Sequence, residues 1–520
     1  MRNKLRHFFV TTLFGCISYV CVAAIAGCAA IYSNQDVLLQ ITKANTTYVI
    51  SRDYDLKGQT LVMPKDCILK FRGGKLLNGK IKGNNTVIDA KKQLVLEKIE
   101  VSGTWINKNG YPEWFGATNN PSVDSKMAIQ KALDVSKTCR LTGKYYMAYD
   151  TPTGRGDAVD VCAIAIKGQK ILGTPQRKIY VDAKYCNTER TSVFWVGDSV
   201  IIDGVNIEYL HEDHTGWTGI QDGVYRVQGG NVSIQNTTLR GAMAAWINLE
   251  GATGRRNFVI KNNFVHDCDC GLIIQGNRHR SNEIYDMNLV MENNVIEKEN
   301  NRHSEFVSFW GGKEDNGKVY YANVTIRNNK FIGGYFGGCI TGHPTCNGLK
   351  NVTICDNVFY DCGGCVFYNA EGLIYVRNYV AGSTFVERQI AGIMGSYPDL
   401  SFSNCKECVV DDISCFGMSF TDCKNFRIGR VKQTLDMDKD NPFISQMGFI
   451  TDFIGIRAEN STVTIDELTV NPFKDNKMIS DKCKYYIFKA NKSSVQIGTM
   501  RSNIPVQDSK KLLNVGNRLF

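Results

Sequence analysis

Apolar residues recur along the middle of this chain in a fixed short phrase. The phrase runs Asn, apolar, x, apolar, x, then a polar residue and Asn or Gly, then apolar again. It reads NVSIQNTTL from Asn231, NFVIKNNFV from Asn257, NLVMENNVI from Asn288, NVTIRNNKF from Asn323 and NVTICDNVF from Asn351. Looser copies start at Ser199 and Gly372. One apolar position of the phrase falls at Ile202, Ile234, Ile260, Met291, Ile326, Ile354 and Tyr375, with spacings of 32, 26, 31, 35, 28 and 21 residues. A repeat of this size with variable insertions marks a solenoid, in which each coil buries its apolar face only by stacking on the next. The alternation has period two, so the coils are made of short strands and not helices. The predicted fold is all-β: a single-stranded right-handed parallel β-helix with a short N-terminal capping helix.

Asparagine tolerates a left-handed backbone, and its amide can bond to the neighbouring coil. Asn236, Asn262, Asn293, Asn328 and Asn378, with Asp356 standing in once, are therefore expected to form a ladder inside the turns. Before the phrase begins, TTYVI, CILKF, KLLNGKI, NTVIDA and LVLEKIEV read as strands between Thr46 and Trp105, and Ser125 to Lys137 reads as one amphipathic helix. After it, NFRIGRV, STVTIDELTV and SSVQIGTM continue the coil character. The expected division is a leader over 1–27, a tether over 28–44, first coils over 45–122, a capping segment over 123–140, the main solenoid over 141–505 and a tail over 506–520.

At 520 residues one domain suffices, because a solenoid grows without needing a single large globular core. The formal charge of +10 is mild and its lysines and arginines are scattered, which admits an acidic glycan and does not point to nucleic acid. Arg2, Lys4 and Arg6 precede an apolar run from Phe8 to Ala26 that ends Ile25-Ala26-Gly27-Cys28. A basic start, an apolar middle and small residues before a break describe an export signal. The ending resembles a bacterial lipobox, which implies lipidation at Cys28, a membrane held through that anchor, and a place in the periplasm or on the outer-membrane surface of a Gram-negative bacterium. Nineteen cysteines include close pairs at Cys268/Cys270, Cys362/Cys365 and Cys405/Cys408. No histidine completes either C-x-x-C pair locally, so inward-facing thiols are expected in place of a metal site.

The segment CILKFRGGKLLNGKIKGNNTVIDA, followed by YPEWFGA and AIQKALD, resembles the opening of pectate-lyase-superfamily β-helix proteins, a group that includes polysaccharide-degrading enzymes and phage tailspikes. The resemblance covers roughly residues 45–150. It implies the fold and a polysaccharide partner, as substrate of a lyase or glycosidase or as ligand of a non-catalytic adhesin or tailspike-derived scaffold. The chain departs from the group after Phe115-Gly116-Ala117, and it lacks the Asn-Thr-Asp and Gly-His-Gly boxes of the polygalacturonases. No family catalytic residue carries over.

Candidate chemistry must then come from position. After each Asn turn comes a second strand, in AAWINLEG, CGLIIQGN, EFVSFWGG and GCITGHP, and five of the seven histidines lie between His214 and His343. Equivalent positions on stacked coils line up about 4.8 Å apart, a spacing that can follow an extended sugar chain. His279 and His303 are the candidate proton-transfer groups, and Glu250 and Glu305 the carboxylate alternative. Arg278, Arg280 and Arg302 are candidate carboxylate clamps, Trp310 a stacking platform beside Trp217 and Trp246, and His343 a further substrate contact. No cofactor is called for, with a calcium ion at a lyase site left open.

Overall fold

The computed structural model describes residues 27–32, 36–148, 164–182, 192–210, 223–242, 245–250, 256–268, 270–275, 284–298, 305–310, 320–333, 339–342, 346, 348–360, 362, 364–381, 400–415, 417–434, 452–471, 484–502, 505–508 and 514–519. The strands of successive coils pair in parallel and in register, and they build a right-handed parallel β-helix. Its main part has three long sheets, of thirteen, sixteen and nine strands among the described residues. The repeating apolar position is one continuous column in the sixteen-stranded sheet: Ile202, Ile234, Ile260, Met291, Ile326, Ile354 and Tyr375 are direct partners, and Val410 and Ile428 continue the column. All nine are buried. Aromatic residues stack the same way in the thirteen-stranded sheet, where Phe367, Phe402 and Phe420 lie with ring centres 5.7 Å apart.

The polar row expected from sequence divides in two. Asn236, Asn262, Asn293, Asn328 and Asp356 hold φ between 54° and 58°, so they supply the left-handed turn and face outward. The next residue in each coil turns inward: Thr237, Asn263, Asn294, Asn329, Asn357 and Asn378 are all buried. Asn378 belongs to this second row, and the left-handed place before it is taken by Arg377. Each buried Oδ1 accepts from the backbone N–H and the side chain of the coil before, as when Asn329 Oδ1 accepts from Asn294 N at 3.0 Å and Asn294 Nδ2 at 2.9 Å. Each Nδ2 also donates to the carbonyl of a column residue, Asn329 to Met291 O at 3.0 Å. The ladder thus ties the turn to the core, and the buried amides are satisfied at both ends.

Residues 27–116 form the first coils, with their own core around Tyr48, Leu69, Leu76, Ile81 and Ile99. KLLNGKI and NTVIDA are one continuous strand, Leu76–Asp89. The stretch read as a tether contains the strand Gly27–Ala30, paired with Thr46–Ile50, and the stretch read as a tail contains Val506–Asp508 and Asn514–Leu519. The helix spans Lys126–Asp134 and packs over the start of the main solenoid. Its Gln130 side chain accepts from Ala165 N at 2.8 Å and donates to Ala165 O at 3.1 Å, on the first strand of the thirteen-stranded sheet. The described cysteines beyond Cys28 are buried, except the half-buried Cys408, and most of them face the main core, with Cys270 and Cys355 among the exceptions.

Candidate functional site

Strand alternation sends every second residue of the thirteen-stranded sheet outward. One outward row runs Trp195, Arg226, Asn248, Ile273, Ser308, Thr341 and Val366 as direct partners up the solenoid. A second, two residues on, runs Glu250, Gln275 and Trp310, with Gln228 beside Glu250 at its lower end. Outward positions on a solenoid are ordinarily solvated, as Arg240 and Tyr360 are on the nine-stranded sheet. Here Asn248 is 1 % exposed and Ser308 0 %, and Ile273, Thr341 and Val366 are buried too.

The polar groups of this face are incompletely paired. Ser308 Oγ, Gln275 Nε2 and Trp195 Nε1 are shielded from solvent and have no hydrogen-bond partner. Buried polar atoms in native proteins are nearly all satisfied, so three such atoms on one face point to a ligand or bound water as the missing partner. Trp310 rests on a small apolar patch of Ala245, Cys270 and Ile273 outside the main core, with its ring half-buried. It has the one flat aromatic face and the firm backing that a sugar-stacking platform requires.

Glu250 stands at the lower end of the second row, 24 % exposed, and its Oε2 lies 3.0 Å from Arg226 Nε in an ion pair and accepts from Gln228 Nε2 at 2.8 Å. Beneath it Arg256 is buried and donates to the backbone oxygens of Glu250 at 2.7 Å and Gln228 at 3.0 Å, clamping two coils together. Glu305 is elsewhere. It lies two residues before the strand Val307–Trp310, it is 5 % exposed, and its carbonyl accepts from the buried Lys298 Nζ at 2.9 Å. Glu250 and Glu305 therefore lie at opposite ends of the sheet and do not make the carboxylate pair of a glycosidase. Trp246 is a correction of another kind. It and Ile247 both enter the main core, so its ring is no platform.

His279, His303, Arg278, Arg280, Arg302, His343 and Trp217 lie outside the described residues. The first three of these positions that follow Gln275, and the two that precede Glu305, adjoin the two ends of the same sheet in the chain. Cys28 is exposed in its strand. Among the described residues no group of histidine, cysteine, aspartate or glutamate is arranged to hold a metal ion. Glu250 and Trp310, named as candidates from the sequence, lie on this face together with Trp195, Arg226, Asn248, Gln275 and Ser308, which the sequence reading did not single out. The signal for Asn248 and Ser308 was the same alternation, carried two residues back from Glu250 and Trp310.

No protein-family model and no curated protein matches this chain. Solved structures do. The surface protein and adhesin PfbA of Streptococcus pneumoniae matches with a TM-score of 0.38 and 12 % identity over 78 % of this chain and 99 % of its own. An α-1,3-glucanase catalytic unit from Streptomyces thermodiastaticus matches with a TM-score of 0.40 and 11 % identity, over 79 % of this chain and 69 % of that one. A tailspike protein of an E. coli bacteriophage, in complex with a pentasaccharide, matches with a TM-score of 0.39 and 11 % identity over 86 % and 74 %.

Proposed function

We propose that the chain is an exported lipoprotein, anchored through Cys28, that binds a polysaccharide along the outer face of its thirteen-stranded sheet. The observation that carries this reading is the outer face with its two outward rows, where Ser308 Oγ, Gln275 Nε2 and Trp195 Nε1 are shielded and lack partners beside Trp310. Hydroxyl-rich sugars present donors and acceptors at short intervals and an apolar ring face, and this surface offers the complement of both. Coils about 4.8 Å apart present successive contacts along an extended glycan. The anchor reading rests on the Ile25-Ala26-Gly27-Cys28 ending.

A second reading adds turnover by elimination. Glu305 is buried away from Glu250, so these two do not form the two-carboxylate arrangement of a glycosidase. A lyase needs instead a cation to neutralise a uronate and a base to take the adjacent proton. Arg226 on the face, with Arg278, His279, Arg302 and His303 in the adjoining segments, has the residue types for it.

The test is a panel of acidic and neutral polysaccharides offered to the exported chain. Binding is followed by calorimetry, and turnover by ultraviolet absorbance of unsaturated uronate and by reducing ends. Binding that weakens in Trp310→Ala supports the site, whereas binding unchanged by that variant and by Ser308→Ala places it elsewhere. Reducing ends without unsaturated product would refute the elimination reading.

A further inference from the structure

The C-x-x-C pair Cys405-Lys406-Glu407-Cys408 is not used by the face described above. It lies where the chain turns from the thirteen-stranded to the sixteen-stranded sheet, and Cys423 belongs to the same corner of the next coil. Ser403 pairs with Thr421, and Asn404 and Asp422, both with left-handed φ of 51° and 53°, follow them. Cys405 and Cys423 are therefore equivalent positions on stacked coils, with α-carbons about 4.8 Å apart, inside the roughly 4.4–6.8 Å range a disulfide spans. Within the pair, Glu407 has φ of 54° and folds Cys408 back toward Cys405. Cys405 Sγ points to Phe367 O at 3.5 Å, Cys423 Sγ to Phe402 O at 3.5 Å and Cys408 Sγ to Lys406 O at 3.4 Å. Cys408 Sγ also lies 3.8 Å from Ala370 O, and the Cys405 thiol sits beside both of the others.

The three differ in access. Cys405 and Cys423 are buried, whereas Cys408 is half-buried and lines an open groove of about 580 Å³ with Val409, Asp411, Arg427 and Arg430. We infer that Cys405, Cys408 and Cys423 form an oxidisable thiol site that holds one disulfide at a time and is entered through Cys408. The hydrogen bond from Cys405 holds the Cys408 thiol below the usual range and so favours the thiolate that attacks a disulfide.

The reaction partner is a small soluble disulfide. Cys408, having lost its proton to water, attacks one sulfur of that disulfide; a mixed disulfide forms and one thiolate leaves and is protonated. Cys405 then loses its proton and attacks Cys408 Sγ, and the second thiolate departs. Two protein thiols are oxidised and one disulfide is reduced to two thiols. Attack by Cys423 on Cys405 moves the bond inward to Cys405–Cys423 and returns Cys408 as a thiol, with no net oxidation.

A second trio, Cys339, Cys362 and Cys365, has the same C-x-x-C spacing but no exposed member, since all three are buried. It serves as the internal control. Full-length protein is incubated with oxidised glutathione, denatured, alkylated and mapped by mass spectrometry. The expected result is one disulfide within Cys405/Cys408/Cys423 with one cysteine alkylated, while Cys339, Cys362 and Cys365 are all alkylated. Cys408→Ser is expected to slow bond formation at least ten-fold while Cys405–Cys423 still forms. Cys405→Ser, or Cys405→Ala should the serine variant misfold by circular dichroism, is expected to leave Cys408 and Cys423 unpaired. Three alkylated cysteines in the oxidised wild type would overturn the site. Oxidation of both trios at one rate, or wild-type rates in Cys408→Ser, would overturn the entry through Cys408.

Discussion

Two places in this molecule take a row of polar side chains out of water, and they treat them in opposite ways. At the turn into the nine-stranded sheet, Asn263, Asn294, Asn329, Asn357 and Asn378 each exchange hydrogen bonds with a neighbouring coil and with the core column. On the outer face of the thirteen-stranded sheet, Ser308 Oγ, Gln275 Nε2 and Trp195 Nε1 are shielded too but have no partner. Burial alone does not separate structure from function. What separates them is whether the donors and acceptors balance within the fold.

The largest effect is expected from breaking the balanced row. Asn329→Ala leaves Asn294 N–H without an acceptor, removes one of the two acceptors of Asn294 Nδ2 and strips a donor from Met291 O and Asn357 Oδ1. At about 1–3 kcal/mol for each buried group left unmade, partly relieved by water, a loss of about 3–5 kcal/mol is expected. The denaturant midpoint should fall accordingly, and a drop equivalent to less than 1 kcal/mol would mean that the amides are incidental.

Removing the platform on the unbalanced face should act on binding instead. Trp310→Ala is expected to weaken the glycan by about ten-fold or more, in line with about 1–3 kcal/mol for stacking on an aromatic ring, read by calorimetry. A smaller effect of opposite sign should come from Ser308→Ala, which deletes an unpaired hydroxyl. Unfolding should show the variant unchanged or stabilised by up to about 1 kcal/mol, with glycan affinity reduced. Destabilisation there would show that the hydroxyl already serves the fold.

The smallest effect tests the outward row that runs beside the buried amides. Asp356 accepts from Arg377 Nε at 2.6 Å and Nη2 at 2.8 Å, and that guanidinium holds its carboxyl below the ordinary aspartate range. A lowered folded pKa gives stability that is present above the unfolded value of about 3.9 and is lost as pH falls through the folded one. Melting curves of wild type and Asp356→Asn should differ slightly at neutral pH and converge in acid. A gap that persists in acid would assign the difference to the left-handed backbone and not to charge.

The fold was legible because its physics is periodic. One alternation and one turn phrase fix column, sheet and turn together, so Ile202 through Tyr375 could be aligned by eye. The ladder was off by one residue for a local reason. In Asn262-Asn263 two identical side chains adjoin, and only the backbone tells which is left-handed and which turns inward. Arg377 before Asn378 carried the answer, because an arginine can take the exposed place and not the buried one. The site was half legible. Glu250 and Trp310 mark strand ends that any reading of the repeat exposes, but the withdrawal of Asn248 and Ser308 from solvent comes from tertiary packing that alternation does not encode. Trp246 was misplaced by a local break in that alternation, which sends it inward together with Ile247.

The Gln130 side chain has a consequence for solubility. A stack of parallel strands is an unfinished crystal in one dimension, and its first strand offers a row of unspent backbone groups to any passing copy. The amide of Gln130 occupies the N–H and the carbonyl of Ala165 as a further strand would, but from a helix that offers nothing for the next molecule to extend. A single side chain thus leaves the thirteen-stranded sheet less able to template a further strand at Ala165.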